Sequence, residues 1–345
     1  MKKTFITLAI LSLGAAAALA WSAVWLSMPG RPIDTVFSVA AGDSTDKIIG
    51  GLKDRGFIRS RWIFRYILSQ SGLAARLQPG DYDLVSVDSY GDIIAKLTTG
   101  GLPANEFVLL VKEGWDLRDI RNQLALIGYA EADGLYRVTG SPAADYGPAG
   151  AGGPPSLAAK HVFLRDKPAD VGLEGFLFPD TYRFFRDAST TDIVGKMLDN
   201  FGRKFDTLRA DLTASGKSVF EVVTMASIVE NEVRGDEDRR LAADIFWRRL
   251  AAGMPLQADS TVNYVTGKSL PAVTAKDTEA ASRFNTYAHR GLPLGPIGNP
   301  GLSALSAVLH PQKNAYWYFL TDAEGRVHYG RTLDEHNANK ARYLR

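Results

Sequence analysis

Residues 218–232 read SVFEVVTMASIVENE, and this stretch determines how the rest of the chain is interpreted. Ser218, followed three residues later by Glu221, matches the capping box that begins many helices. Apolar side chains then occupy almost the whole circumference of the predicted helix, which is typical of a helix buried inside a domain. The stretch ends in two carboxylates, Glu230 and Glu232.

The two glutamates lie where an ionised carboxylate is disfavoured. The C-terminal end of a helix carries partial negative charge, and burial raises the pKa of a carboxyl group. A glutamate in such a place can stay protonated near neutral pH and serve as a general acid. The alternative is that both side chains are solvated residues at the end of a helix.

Glu230 and Glu232 are two positions apart, which is about 200° of helical rotation, so they cannot share one face. Arg234 follows Glu230 by four residues, a spacing that favours an ion pair and would keep Glu230 ionised. Glu232 has Asp236 at that spacing and therefore no such cation. The pattern favours Glu232 over Glu230 as an acid.

Polar residues and a loop follow the helix that carries these glutamates. A second helix is predicted over residues 236–252, and residues 256–261 place polar side chains between apolar flanks. The stretch 291–301 reads GLPLGPIGNPG, which predicts a loop of defined shape. It lacks the Lys-Ser/Thr ending of a phosphate loop and the GxGxxG pattern, which argues against a nucleotide site. A helix over 301–309, a hairpin over 316–331 and a last helix are predicted after it.

The N-terminal half alternates predicted strands and helices. Residues 34–140 predict a small α/β module, in which Gly42 and Gly114 each follow a strand and precede an amphipathic helix. Such strand–turn–helix units resemble LysM glycan-binding modules. An ordinary repeated α/β unit accounts for them equally well.

A change of composition separates this module from the rest of the chain. The stretch SPAADYGPAGAGGPPS, which begins at residue 141, has too few apolar side chains to offset the entropy of ordering it. We therefore expect a flexible excursion over 141–170. The region 171–345 is dense in aromatic residues, Gly-Pro turns and carboxylates, and it is the predicted catalytic domain. The expected fold class is α+β.

The first thirty residues have the pattern of a membrane anchor. Lys2 and Lys3 precede an uncharged, almost entirely apolar run over residues 5–26, and a bilayer core needs about 20 such residues. We expect a single-pass anchor at 1–30 in the inner (plasma) membrane, with the N-terminus cytoplasmic and the rest of the chain periplasmic. A signal peptide with a cleavage box at 18–20 is the alternative.

The composition excludes several classes of function. Hydrophobic residues make up 46% and charged residues 23% of the 345 residues, as in a folded soluble protein. The net charge of +2 argues against nucleic acid as a partner. Because there is no cysteine, disulfides, thiolate nucleophiles and Cys-based metal sites are impossible. The five histidines show no metal-binding spacing, so no metal is expected. No serine lies in GxSxG, so a hydrolase triad is unsupported, and no cofactor is expected.

Several short motifs together resemble one family of enzymes. They are EGFLFPDTY at 174–182, TMASIVENE at 224–232, LQADSTV at 256–262, NTY at 285–287, GLP at 291–293, GPI at 295–297, NPG at 299–301 and EHN at 335–337. The chain resembles the endolytic murein transglycosylases, the MltG or YceG-like family, over almost its whole length. Two departures are Asn231, where many members have lysine, and the excursion after residue 141.

The resemblance implies cleavage of the β-1,4 bond between N-acetylmuramic acid and N-acetylglucosamine in peptidoglycan, with a 1,6-anhydro product. The family's catalytic glutamate is the second acid of its E-x-E motif, which is Glu232 here. Ordinary glycosidases use two carboxylates, whereas here the C6 hydroxyl of the substrate would be the nucleophile. Candidates for contact with the sugars are Glu174, Asp180, Gln257, Asp259, Asn285, Thr286 and Tyr287.

The resemblance also implies partners and a role. The substrate would be peptidoglycan glycan strands, the role would be to terminate nascent strands, and peptidoglycan synthases would be protein partners. Two other functions stay open at this point. One is a non-catalytic, membrane-anchored scaffold that binds peptidoglycan, and the other is a hydrolase that uses water.

Overall fold

The computed structural model describes residues 36–84, 89–100, 106–147, 150, 155–268 and 273–344. They form two compact units, with the boundary between Phe107 and Val108. The predicted membrane anchor at 1–30 lies outside the described residues. Within these residues no single helix is long and apolar enough to cross a membrane, and only the bent pair 190–215 and 219–232 meets that requirement jointly.

The first unit combines three helices with a two-stranded antiparallel sheet. Strand β1 (Val36–Val39) pairs with β2 (Gly80–Asp83). Helices α1 (Thr45–Asp54), α2 (Arg61–Ser71) and α3 (Tyr90–Thr99) each follow a serine whose hydroxyl caps the first turn. Their apolar faces form one core, which includes Phe37, Ile49, Leu52, Phe64, Tyr82, Tyr90 and Leu97.

The second unit contains the other strands and most of the helices. In chain order these are β3 (Glu106–Leu110), which begins just before the boundary, α4 (Leu117–Leu126), α5 (Leu135–Thr139), α6 (Pro155–Lys160), β4 (Thr181–Phe185), α7 (Thr190–Phe205), α8 (Arg209–Ser215), α9 (Val219–Glu232), α10 (Asp236–Ala251), α11 (Asp259–Thr266), α12 (Leu302–Leu309), β5 (Tyr318–Thr321), β6 (Val327–Gly330) and α13 (Leu333–Tyr343). β3 pairs with β4, and β5 and β6 form the predicted antiparallel hairpin. The mixed α and β fold is confirmed.

Helix α9 forms the centre of the second unit and packs against α10, α11 and α12. All the side chains from Val222 to Val229 are buried, as the apolar circumference predicts. The capping box at Ser218 and Glu221 is present. The helix ends at Glu232 because Val233 has an extended backbone and a buried side chain.

The glycine- and proline-rich loop packs closely against the turn after β3. Asn299 is fully buried, and its backbone N–H and side-chain amide both donate to the carbonyl oxygen of Trp115, at 2.8 and 2.9 Å. A side chain at Gly301 would come within 1.9 Å of the carboxylate of Glu113. Glycine at 301 therefore allows the approach that holds this loop in place.

The boundary between the units differs from the predicted module over 34–140. Residues 108–140 belong to the second unit, because β3 pairs with β4 and Gly114 N–H donates to the carbonyl oxygen of Asn299 at 2.8 Å. The strand–glycine–helix repeat is present, with φ of 86° at Gly42 and 79° at Gly114. One copy lies in each unit, so the two copies do not form a common module. The likeness to LysM stays a prediction.

The predicted excursion over 141–170 contains regular structure. Helix α6 and a 3₁₀ turn at Val162–Leu164 lie within it, because Leu157 and Leu164 are buried and repay the entropy of ordering. Ala143 N–H donates to the hydroxyl of Tyr264 at 2.8 Å. Residues 148–149 and 151–154 lie outside the described residues, and their flexibility stays a prediction.

Candidate active site

The second unit carries a cleft with a volume of about 1290 Å³. Small-molecule pockets typically measure about 300–1,000 Å³, so this cleft has room for an extended ligand. The C-terminal end of α9, the first turn of α11, the β5–β6 hairpin and one face of α13 contribute to its walls. The side chains that line it include Glu232, Arg249, Gln257, Asp259, Ser260, Tyr287, Tyr318 and His336.

Glu232 is the last residue of α9 and lies partly buried in the wall of this cleft. Its Oε1 accepts two hydrogen bonds from Ser260, one from the backbone N–H at 3.0 Å and one from Oγ at 2.6 Å. Among the described residues, nothing donates to its Oε2. One oxygen is therefore held in place while the other is free to carry or release a proton.

Burial raises the pKa of Glu232 to about 7. The two hydrogen bonds from Ser260 and the charge of Arg249 act in the opposite direction, while the neighbouring Asp259 adds to the rise. Protonated and ionised forms of Glu232 are thus both populated near neutral pH. A general acid that must later act as a base needs this balance.

Glu230 also borders the cleft, but both of its oxygens are engaged. Oε1 forms an ion pair with Arg239 at 2.5 Å, in which the two side chains are only 5% and 11% exposed. Oε2 accepts a hydrogen bond from Gly301 N–H at 3.0 Å. The predicted ion pair between Glu230 and Arg234 is wrong. Helix α9 ends at Glu232, so the i,i+4 spacing does not bring Arg234 next to Glu230.

Three of the polar residues predicted to contact sugars line the cleft: Gln257, Asp259 and Tyr287. The Tyr287 hydroxyl donates to Asp259 Oδ1 at 2.5 Å. Burial and the adjacent Asp259 raise the pKa of Tyr287, so it stays a donor at neutral pH. Gln257 has a left-handed backbone with φ of 52°, which is unusual for a residue other than glycine. Backbone strain of this kind tends to occur at functional sites.

A family model described as the YceG-like family matches residues 37–342. The chain belongs to the YceG-like family.

Individual relatives agree with this assignment. A protein of Bacillus subtilis strain 168 named endolytic murein transglycosylase is 34% identical over 309 residues, which is 89% of this chain and 84% of that protein. A protein of the same name from Streptococcus pneumoniae is 28% identical over 330 residues, and the match spans only 58% of its length. The crystal structure of a YceG-like protein from Listeria monocytogenes is similar with a TM-score of 0.62 and 31% identity, over 88% of this chain and 97% of that one.

In this YceG-like fold, two further predicted contact residues lie behind the cleft. Asn285 is fully buried, and its side-chain amide donates to two backbone carbonyls at 2.9 Å. Thr286 is also buried, and its Oγ1 accepts a hydrogen bond from Ala258 N–H at 3.0 Å. Thr286 therefore positions the segment that carries Gln257, whereas Asn285 holds the turn over residues 278–280, and neither side chain lines the cleft.

Glu174 was also predicted to face the cleft, but it is buried inside the second unit. Its Oε2 accepts hydrogen bonds from Leu117 N–H and the Tyr264 hydroxyl, each at 3.1 Å, and its Oε1 accepts one from the Asn299 amide at 3.2 Å. Burial raises its pKa to about 8. Glu174 joins the start of α4, α11 and the glycine-rich loop in one hydrogen-bond network.

Asp180, the remaining predicted contact residue, immediately precedes β4 and does not line the cleft. Its carboxylate accepts hydrogen bonds from the Asn200 amide at 3.0 Å and from Thr181 N–H at 2.8 Å. Its carbonyl oxygen accepts one from Val111 N–H at 2.9 Å. The position of Asp180 fits a role in fixing the β3–β4 pair.

Two residues that line the cleft, Ser260 and Arg249, were not predicted from the sequence to belong to the site. Ser260 immediately follows Asp259 in the LQADSTV motif, but nothing local shows that it would meet Glu232. Arg249 projects from α10, donates to the carbonyl oxygens of Leu256 and Trp317 at 2.8 Å and lies 5.0 Å from the centre of the Tyr318 ring. Its contacts join segments that are distant in the sequence, so no local pattern could have indicated it.

Proposed function

We propose that this chain is a peptidoglycan lytic transglycosylase that cleaves the bond between N-acetylmuramic acid and N-acetylglucosamine within glycan strands. The observation that carries the proposal is Glu232, a partly buried carboxyl with a raised pKa and one free oxygen at the wall of a large cleft. The names of the Bacillus and Streptococcus relatives support the same activity.

The reaction needs one group that both gives and takes a proton. Protonated Glu232 donates to the bridging oxygen as the bond from C1 of the muramic acid to that oxygen breaks. The C6 hydroxyl of the same sugar then attacks C1, and its proton returns to the Glu232 carboxylate. The product is a 1,6-anhydro ring, and the carboxyl ends the cycle protonated, as it began. Acid–base assistance of this kind contributes typically about 10²–10⁴-fold.

Ser260 and Asp259 suit this cycle. The two hydrogen bonds from Ser260 to Oε1 hold the carboxylate after it has lost its proton. Asp259 opposes that ionisation, so the proton is neither held too tightly nor lost in the resting state. Asp259 also places negative charge near the cleft, which favours the oxocarbenium-like transition state of glycosidic cleavage.

The proposal includes the location of the protein and its role in the cell. The uncharged apolar run near the N-terminus supports an anchor in the plasma membrane, with the cleft on the periplasmic side. From there the chain would terminate growing strands, with peptidoglycan synthases as partners. A reporter fused after Arg345 should be active only outside the cytoplasm, and activity only in the cytoplasm would contradict this topology.

Mass spectrometry of digested peptidoglycan tests the activity. The full chain should release fragments with anhydro ends, which are lighter than reducing ends by one water. Glu232→Gln is the matched control and should release almost none. Reducing ends would indicate a hydrolase, and binding without any cleavage by the unmodified chain would indicate a scaffold.

A further inference from the structure

The outer face of α2 in the first unit exposes two aromatic side chains. Trp62 is 86% exposed and Tyr66 is 61% exposed. They are four residues apart, so they are neighbours on the same side of the helix. Phe64 and Leu68 on the opposite side are buried in the core of the unit. The core of this unit therefore does not include the two exposed rings.

The charges around this face are balanced. Arg61 forms an ion pair with Asp54 at 2.6 Å. Arg65, on the same edge of the helix, forms one with Asp46. The sequence over 36–107 contains eight Lys or Arg and eight Asp or Glu residues. A partner for this face would thus be recognised through the two aromatic rings, with little contribution from net charge.

The sequence limits how far this unit can be from a membrane. Nine residues separate the end of the apolar run at Leu26 from the start of β1 at Val36. At no more than about 3.6 Å per residue, they span roughly 30 Å. A unit on so short a connection experiences a high effective concentration of the bilayer surface, so even a weak contact is populated.

We propose that Trp62 and Tyr66 dock the first unit on the lipid surface of the membrane that holds the anchor. Tryptophan and tyrosine favour the interface between headgroups and acyl chains, because the ring is apolar and its polar tip stays hydrated. Because the unit has no net charge, docking should occur on zwitterionic lipid and change little with salt. The inference rests on the anchor that is part of the proposed function.

The absence of native cysteine allows a direct test with the full chain in phosphatidylcholine vesicles. A fluorophore on Ser69→Cys reports from the face of α2 that carries the two aromatic rings. The same fluorophore on Ala95→Cys, an exposed position of α3, is the control. A nitroxide on the lipid headgroup should quench the probe at 69 several-fold more than the probe at 95. Trp62→Ala with Tyr66→Ala should lower quenching at 69 to the control level, with the circular dichroism spectrum unchanged.

The possible outcomes distinguish the proposed docking from the proposed membrane anchor and from the proposed enzymatic activity. Equal quenching at 69 and 95 in a chain that floats with the vesicles would overturn the docking and leave the anchor in place. A probe at 69 that responds to soluble glycan strands and not to lipid would show a sugar-binding face. A chain that does not float with the vesicles would overturn both anchor and docking. Anhydro product formation in detergent is independent of all three outcomes.

Discussion

Two regions of the second unit each contain a glutamate whose pKa is raised by burial, to about 8 at Glu174 and to about 7 at Glu232. At Glu174 three donors occupy both oxygens, and the residue is only 6% exposed. At Glu232 one oxygen is bonded to Ser260 and the other is free at the cleft. A raised pKa therefore reports burial, and access for a substrate distinguishes an acid from a structural carboxyl.

The strongest test of this contrast is Glu232→Gln. The amide keeps the size and a hydrogen-bonding group but has no transferable proton, so anhydro product formation should fall by about 10²-fold or more. The free energy of unfolding should change little. Mass spectrometry of the products, with circular dichroism as the check on folding, measures both. A variant that retains full activity would show that the acid lies elsewhere.

Glu230→Gln should act mainly on stability. The change removes the buried partner of Arg239 and leaves only the exposed Asp236, at 3.3 Å, as its countercharge, which should cost about 2–3 kcal/mol of unfolding free energy. Denaturant unfolding of Glu230→Gln and Glu232→Gln, measured side by side, compares the stabilities of the two variants. If Glu230→Gln were inactive yet as stable as the unmodified chain, the two glutamates would have exchanged roles.

Glu174→Gln tests the structural carboxyl through pH. The folded-state pKa of about 8 lies above the usual value of 4.5, so the folded chain binds more protons than the unfolded chain between these values. Stability of the unmodified chain should thus decline as the pH rises from 5 to 8, and the variant should lack the part of this decline that Glu174 contributes while keeping the part due to Glu232. The two should differ by about 1 kcal/mol at pH 5, with the variant gaining relative stability at pH 9. Urea titrations at both pH values measure this, and parallel curves would contradict it.

Ser260→Ala should have the smallest effect. The lost Oγ bond favoured the ionised form of Glu232, so the alkaline limb of the activity profile should move to higher pH by less than one unit. Activity at neutral pH should fall less than about tenfold, because the backbone N–H of residue 260 still holds Oε1. Ser260→Thr keeps the hydroxyl and should retain the original profile. A shift to lower pH would contradict the role given to Ser260.

Local sequence patterns were sufficient for the helix that carries the acid. The capping box at Ser218, the apolar circumference and the terminal carboxylates predicted α9 with bounds close to those of the structure. These features depend on neighbouring residues only. The spacing of the charged residues favoured Glu232 as the acid, and the family motif pointed to the same residue.

The surroundings of the site could not be predicted in this way. Glu174 is a polar residue in a largely apolar motif, and it is buried because Asn299, 125 residues later in the chain, folds against it. Asn285 is buried because its amide bonds to the turn that precedes it. Arg239, not Arg234, is the partner of Glu230, because α9 ends at Glu232 and the chain changes direction there. The spacing of residues in the sequence does not predict where the helix ends. Pairings between distant segments set which polar groups remain for a substrate.

The walls of the cleft differ in how often their backbone hydrogen bonds open. Helix α9 has nine buried residues, whereas α13 has none. Backbone hydrogen bonds in a buried helix open only with global unfolding, while those of an exposed terminal helix open locally and often. Amide hydrogens on the α13 side of the cleft should therefore exchange with solvent sooner than those of α9, the helix that carries Glu232.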